Sequence, residues 1–347
     1  PGPSARMPAA DLERGWLAVA ALDTSDPTRL MYYSNACGLA KDYCLVAPGT
    51  SVFPSHTDTG ATPDLLYGSG TSYAAPLVSG AAAVVWEKFP YFNNDLVRQT
   101  LLGTATDLGA AGPDAVFGYG LLNVGKALDG PAKFDWGDVT VDFSGESTWA
   151  NPITGDGGLV KQGTGTLVLG TGSTAFEYAG DTRVEAGTLK VAGTLRSSVS
   201  VDADARLTGA GWLGGNLTNA GTVVIDEDMT TGTMEVVGNY VQKPDGVLSL
   251  VLGYGAMKVG GTATLEGGTV HVAGVRSGYT WQAREYVLDA DGGLSGRFTG
   301  LTAASSIFLD ATLGYSATQA WMDITRLDVT AAAATLADIT PAALGAA

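Results

Sequence analysis

A serine within the string GTSYAAPLVSG, residues 70–80, carries the most specific chemical signal in the sequence. A glycine-bounded turn precedes Ser72 and small or apolar residues follow it, which predicts a serine held at the start of a buried helix. The first N–H groups of a helix lack partners, and the positive end of the helix dipole lies there. This environment stabilises the oxyanion formed when a hydroxyl attacks an acyl carbon. An ordinary helix cap is the alternative, and the full string disfavours it.

A serine hydroxyl is a weak nucleophile at neutral pH unless a base lies beside it. The chain contains two histidines. His56 lies 16 residues before Ser72 in a segment that predicts a solvated loop. His271 alternates with Val270 and Val272 in a strand pattern, so its side chain is expected to point outward. Neither histidine is predicted to be the base.

Cys37 and Cys44 are the two cysteines, with six residues between them. The spacing is not Cys-x-x-Cys and histidines are few, so a zinc site is not expected. A disulfide formed in an oxidising compartment would contribute roughly 2–3 kcal/mol by closing this short loop, and two buried thiols are the alternative. The acidic run Asp226–Asp228 lacks the spacing of a calcium loop and predicts a solvated corner. No metal and no cofactor is expected.

Composition changes near residue 132. Residues 1–132 hold 15 of the 49 glycines and show helical periodicity, whereas residues 133–347 hold the other 34 and consist of short alternating apolar runs. In the first part we predict two strands and three helices, the longest helix being apolar nearly all round and therefore buried, with Pro76 early enough to be tolerated. The predicted segments are strands at 15–23 and 44–49, a helix within 69–90, a helix near 95–102 capped by Asn93 or Asn94, and a short helix within 117–130.

Gly-Thr-x-apolar strands recur through the second part. They begin at residues 165, 187, 221, 261 and 268, with the variant GVLSL at 246–250. Short strands separated by glycine, asparagine and aspartate corners predict a right-handed parallel β-helix, in which stacked coils bury a common core. A β-sandwich is the competing fold. We expect Tyr279, Trp281 and Tyr286 to cover the open end of the solenoid.

Charge excludes several partners. Nineteen basic residues against 35 acidic ones give a net charge of −16. A nucleic-acid-binding protein needs a basic surface, and so does a protein held on anionic lipid by charge. No apolar run approaches the roughly 18 residues of a membrane-spanning helix.

The string around Ser72 resembles the nucleophile motif of the subtilisin-like serine proteases, G-T-S-x-A-[AS]-P-x-V-[SA]-G, and the segments before it resemble those that precede it in that family. The cysteine pair and FGYGLLNVGKALDG (117–130) resemble the subtilisin-like autotransporters of Gram-negative bacteria. Residues 157–195 are similar to the passenger-associated transport repeat, and residues 291–326 to the end of such passengers. The resemblance covers essentially the whole chain and implies a partial α/β subtilisin-like domain followed by an all-β solenoid.

The resemblance transfers only Ser72 as a catalytic residue, with its backbone N–H as one oxyanion donor. In the family the order is Asp, His, Ser with over a hundred residues from His to Ser, whereas 71 residues precede Ser72 here. The Asp, the His and the oxyanion Asn are therefore expected upstream of Pro1. The chain alone is expected to be inactive, while the longer parent is a serine endopeptidase.

The predicted organisation is the end of a peptidase domain at 1–132, a solenoid passenger region at 133–330 and the start of a linker at 331–347. Expected partners are a protein or peptide substrate and an outer-membrane β-barrel translocator in the same polypeptide, at the cell surface or after secretion. A non-enzymatic surface adhesin or stalk with a degenerate protease remnant is the alternative function. A carbohydrate lyase is disfavoured because no cluster of Asp, Arg and Lys is present.

Overall fold

The computed structural model describes residues 8–9, 12–55, 64–209, 211–225, 233–276, 278–279 and 282–328. His56, the acidic run Asp226–Asp228, Trp281 and the C-terminal segment 331–347 lie outside the described residues, so the predictions made for them stay open. The chain divides into two units, residues 1–136 and 137–347.

In the first unit the apolar segments form the strands and helices that their patterns predict. Short 3₁₀ helices cover Glu13–Gly15 and Gly38–Tyr43. The other elements are β1 (Ala18–Leu22), β2 (Cys44–Pro48), β3 (Thr50–Pro54), β4 (Leu65–Ser69), α1 (Thr71–Lys88), α2 (Asn94–Gly103) and α3 (Val124–Ala127). Strands β1 and β2 pair in parallel, and β3 and β4 pair antiparallel. The side chain of Asn93 caps α2 by accepting from the Leu96 N–H at 2.8 Å, which confirms one of the two predicted caps.

Helix α1 is buried on one face only, so the prediction of a helix buried all round is wrong for the described structure. Its buried residues are spaced at helical intervals and pack towards the β1–β2 sheet; they are Ala74, Val78, Ala81 and Val85. Leu77, Val84 and Trp86 on the other faces are 41%, 41% and 45% exposed. The reason is that a two-stranded sheet and α2 cover only part of a helix surface, whatever the helix composition is.

Cys37 and Cys44 form a disulfide, with their Cα atoms 5.9 Å apart, which confirms the predicted bond. Both cysteines are fully buried in an apolar cluster with β1 and β2 residues and Phe117. Gly118 approaches this bond closely at a φ of +60°, and a Cβ there would collide with the Cys44 carbonyl and lie 3.0 Å from Cys37 Sγ. A side chain at position 118 is therefore excluded both by space and by backbone conformation.

The second unit consists of short strands that return at intervals to three sheets of eight strands each. Its strands, in chain order, are β5 (Val139–Asp142), β6 (Glu146–Trp149), β7 (Leu159–Gln162), β8 (Thr166–Leu169), β9 (Ala175–Phe176), β10 (Thr182–Val184), β11 (Gly187–Val191), β12 (Thr194–Leu195), β13 (Val199–Val201), β14 (Ala205–Thr208), β15 (Trp212–Leu213), β16 (Leu217–Asn219), β17 (Thr222–Val224), β18 (Glu235–Val236), β19 (Tyr240–Gln242), β20 (Val247–Leu252), β21 (Met257–Val259), β22 (Ala263–Leu265), β23 (Thr269–Val275), β24 (Arg284–Ala290), β25 (Leu294–Gly296), β26 (Gly300–Ala303), β27 (Phe308–Tyr315) and β28 (Gln319–Asp328). Successive strands within each sheet are three elements apart for most of its length, and these pairs are parallel. This is the parallel β-helix predicted, and the sandwich alternative is excluded.

The positions of the Gly-Thr strands in the sheets explain why these strands are unevenly spaced in the sequence. Four of them and the GVLSL variant lie in one sheet, in the strand order β23–β20–β17–β14–β11–β8, with β14 as a member that lacks the Gly-Thr start. The strand at 261–265 contributes β22 to a different sheet. A large gap between two Gly-Thr strands therefore marks a coil whose strand in this sheet begins with residues other than Gly-Thr.

In-register stacking builds the solenoid core. One continuous buried row crosses that sheet, at positions that are Cα partners from coil to coil, and its members are at most 1% exposed: Leu167, Leu189, Leu207, Val223, Leu248 and Val270. His271 lies between the buried Val270 and Val272, and its Nδ1 is 2.9 Å from Thr302 Oγ1 on the outer face, which confirms its predicted orientation.

An antiparallel pair ends one sheet. Strand β28 pairs antiparallel with both β24 and β27. Across the first pair, Arg284 Nε donates to Asp323 Oδ1 at 2.8 Å, and the guanidinium lies 4.4 Å from the Trp321 ring centroid. Within β28, Trp321 Nε1 donates to Asp323 Oδ2 at 2.8 Å. Tyr286 lies 6.5 Å from the same ring, at this end of the solenoid as expected. No helix in the described ranges is long and apolar enough to cross a membrane.

Lys161 is fully buried in the second unit although lysines are rarely found inside. Its ammonium donates to the carbonyls of Gln162, Gly163 and Ala186 at 2.7, 3.0 and 3.2 Å, and lies 4.8 Å from the Phe143 ring centroid. Burial lowers the pKa of Lys161 from 10.5 to about 8, because desolvation disfavours the charged form, while Asp142 opposes the shift.

The titration of Lys161 predicts that the free energy of unfolding rises with pH. The folded chain releases this proton near pH 8 and the unfolded chain near pH 10.5, so between these values the unfolded state binds more protons. Relative to Lys161→Met, the wild type should gain about 2 kcal/mol between pH 7 and 9.5 in urea unfolding followed by circular dichroism. The matched control is Lys258→Met, since Lys258 is exposed; it should follow the wild-type pH dependence. Parallel curves for wild type and Lys161→Met would contradict this account.

Candidate active site

A hairpin and a helix position Ser72. The β3–β4 hairpin runs directly into α1, and the Gly70 N–H donates to the Gly49 carbonyl at 2.9 Å, which joins the start of the helix to the end of the β2 segment. The ring of Tyr73 packs over Gly68, where a Cβ would collide with it, and stacks at 5.9 Å on Phe53. These contacts fix the turn that presents the serine.

Ser72 is the second residue of α1, and its side chain is exposed. The N-cap residue of this helix is Gly70, which has no side chain to cap the helix N-terminus. The first N–H groups of α1, including that of Ser72, therefore lie at a positive helix end close to the hydroxyl. The predicted placement at a helix start is confirmed, and it is suited to hold an oxyanion formed at an acyl group attacked by Ser72 Oγ.

Pro76 acts differently from its predicted role. It is the sixth residue of α1, beyond the first turn whose N–H groups have no helical acceptor anyway. The missing N–H is the one that would donate to the Ser72 carbonyl, four residues earlier. Proline at this position thus leaves the Ser72 carbonyl without its helical hydrogen bond. The expectation that a missing N–H here costs the helix little is therefore wrong.

The described residues of the first unit include no histidine. Of the two histidines, His271 belongs to the second unit and His56 lies outside the described residues. Among the described residues, no group of three or more His, Cys, Asp or Glu side chains is arranged to hold a metal ion.

A groove of about 320 Å³ lies along α1, and it was not anticipated from the sequence. Its lining combines Ala75, Ser79 and Ala82 of the helix with Leu17 and Val19 before and within β1. Trp86 and the buried Arg98 line it too. Ser72 is not among the residues that line this groove.

Comparisons with known proteins agree with the fold. Residues 4–120 match the subtilase family of peptidases, and residues 159–191 match the passenger-associated transport repeat. The neisserial autotransporter lipoprotein NalP of Neisseria meningitidis is 37% identical over 277 residues, which cover 74% of this chain and 25% of that protein. An extracellular serine protease of Serratia marcescens is 28% identical over 372 residues, or 88% of this chain and 35% of that protein.

Among solved structures, fervidolysin of Fervidobacterium pennivorans aligns with 38% of this chain and 22% of that one, at 31% identity and a TM-score of 0.31. The chain spans about a quarter to a third of the length of the two curated relatives. The first unit belongs to the subtilases, a family of serine peptidases. The chain as a whole is part of a subtilisin-like autotransporter passenger.

The opposite environments of neighbouring α1 residues give a paired prediction. Ser72→Ala should leave the free energy of unfolding unchanged within about 0.5 kcal/mol, because the hydroxyl is exposed. Ala74→Leu should destabilise by roughly 1–3 kcal/mol, because Ala74 is fully buried against the sheet. Urea unfolding of the two variants checks both values, and a large loss in Ser72→Ala would show that the serine is a packing residue.

Proposed function

We propose that this chain is the part of a serine endopeptidase that carries the nucleophile, Ser72. The observation that carries the proposal is an exposed serine at the second residue of α1, beside the first N–H groups of a helix whose N-cap is a glycine. Membership of residues 4–120 in the subtilase family supports the same role.

The mechanism follows from this placement. Ser72 Oγ attacks the carbonyl carbon of a peptide bond and gives its proton to a base. The negative charge that develops on the carbonyl oxygen is held by the N–H of Ser72 at the helix N-terminus. The tetrahedral intermediate expels the amine, which takes the proton from the base, and water then hydrolyses the acyl-enzyme.

The base, its orienting carboxylate and the second oxyanion donor are proposed to come from segments of a longer protein outside residues 1–347. Two features support this. The described residues of the first unit include no histidine, and the chain covers only 25% and 35% of the two relatives compared with it. The exposed apolar faces of α1 at Leu77 and Val84 offer a surface for such segments to pack on.

The second unit is proposed to serve as a stalk that holds the peptidase away from the membrane and helps the passenger to fold during export. The passenger-associated transport repeat at 159–191 supports this role. A β-barrel translocator in the same polypeptide is the proposed partner, and proteins or peptides are the proposed substrates. The protein belongs at the cell surface or outside the cell, as the autotransporter and extracellular relatives indicate.

Labelling with a fluorophosphonate tests whether the base that activates Ser72 lies outside residues 1–347. The 347-residue chain should be labelled weakly or not at all, since Ser72 lacks a base, whereas the longer protein should be labelled on Ser72 and should lose both labelling and peptidase activity in Ser72→Ala. Circular dichroism should verify that each variant is folded. Rapid labelling of Ser72 in the isolated chain would overturn the proposal that the base lies elsewhere.

A non-enzymatic surface adhesin remains the second candidate, because the solenoid is the larger of the two units. A longer protein that folds, reaches the surface and shows no Ser72-dependent hydrolysis of denatured protein substrates would favour this function over the peptidase.

A further inference from the structure

Trp212 lies exposed on the outer face of the solenoid, in the sheet that contains β9, β12, β15 and β18. Thr194, Trp212 and Glu235 are Cα partners on three consecutive strands, so they form one outward row. The residues that follow them in each strand form the buried row of the same sheet, and these are Leu195, Leu213 and Val236. A large aromatic residue in the outward row contributes nothing to the core, so its position calls for another explanation.

The indole ring is supported by backbone. Gly214 follows two residues after Trp212 on the same side of the strand, and a Cβ at Gly214 would lie 2.7 Å from indole atoms Cζ3 and Cη2. The six-membered ring therefore lies over a position that only glycine leaves open. The side chain as a whole remains 38% exposed. This arrangement yields an aromatic surface that is held in place from below and open to solvent.

A groove of about 320 Å³ adjoins this ring. Gly193 and Gly211 precede Thr194 and Trp212 and leave the groove floor without side chains. The polar residues that line it are three hydroxyl-bearing residues, among them Thr194, and Glu235. Binding sites for small molecules characteristically combine an apolar surface with a few polar groups that fix orientation.

We propose that this groove, named here the Trp212 groove, binds a pyranose sugar of a surface glycan. One face of a pyranose ring carries mainly C–H groups, and these would stack on the indole, as flat ligand rings do on protein aromatics. The sugar hydroxyls would donate to the Glu235 carboxylate in charge-assisted hydrogen bonds and exchange hydrogen bonds with Thr194.

The row itself favours a neutral ligand over a cationic one. A cation could also use the indole face together with a carboxylate. However, Lys258 is the Cα partner of Glu235 on the following strand, and both side chains are exposed, so the row already places a basic residue of the chain beside the acidic one. Hydroxyl-bearing residues rather than further acidic ones complete the polar lining. The proposal concerns the second unit alone and is independent of Ser72.

The test uses the full 347-residue chain with its seven tryptophan side chains labelled with ¹⁵N, and the probe is cellotetraose. The indole signal of Trp212, assigned by its loss in Trp212→Phe, should shift with a dissociation constant of about 1 mM, a typical strength for a single shallow site. The same Trp212 signal should give a dissociation constant about threefold higher in Glu235→Gln. Trp212→Ala lacks this signal, so its binding is measured by isothermal titration calorimetry beside the wild type, and its dissociation constant should be at least tenfold higher. The matched control is Tyr286→Ala, since Tyr286 is an exposed aromatic residue of the same unit; its binding should equal the wild type.

Three results would overturn the proposal. These are no shift of the Trp212 signal at about 50 mM cellotetraose or methyl β-D-galactopyranoside, a shift that persists in Trp212→Ala at other indoles, and a shift produced by tetramethylammonium or a lysine-rich peptide but by neither sugar. Because Trp212 is outside the core, thermal unfolding of Trp212→Ala should match the wild type and show that lost binding is not lost folding.

Discussion

Hydrogen bonding between parallel strands in exact register determines most of this structure. In such a ladder, residues that are Cα partners point the same way, so an inward position stays inward from coil to coil wherever the register is kept. Strands β20 and β23 keep it up to Leu250, where the register shifts. The buried row from Leu167 to Val270 follows from this rule, and so does the outward row that contains Trp212. A shift of one residue in a single coil would reverse both rows, and the apolar side chains would lose their core.

Because inward positions are shut off from water, a polar group inside the solenoid destabilises the fold unless it is hydrogen-bonded. Lys161 meets this requirement with three carbonyl acceptors, one of them in the next coil. Tyr178, Thr182 and Ser197 meet it with a buried chain of hydroxyl contacts at 2.5 and 2.7 Å, and burial raises the pKa of Tyr178 to about 12. These groups link neighbouring coils. Removing one of them would leave its hydrogen-bonding partner unpaired in the core, and this would lower the free energy of unfolding further.

The first unit is organised differently. One face of helix α1 packs against the sheet, and the residue proposed to do chemistry lies at the N-terminus of the helix. Helix α1 packs against the sheet through one buried row, Ala74, Val78, Ala81 and Val85, whereas Ser72 at its N-terminus is exposed to solvent. Catalysis at such a position depends on groups brought to it from elsewhere in the fold. The exposed serine and the partly exposed apolar side chains of Leu77 and Val84 therefore lie on the same helix.

The amino-acid sequence by itself determined the local elements. Glycine turns and apolar periodicity predicted α1, β1, β2 and the coil strands, and the Asn93 cap and the disulfide were readable because each depends on residues close together in the chain. The family resemblance supplied the proposed role of Ser72, which no contact among the described residues by itself defines. Only the tertiary structure decided which faces are covered, since burial depends on what packs against an element and not on its composition. It therefore decided the exposed side of α1, the buried ammonium of Lys161 and the Trp212 groove, where Gly214 and two neighbouring strands meet the indole.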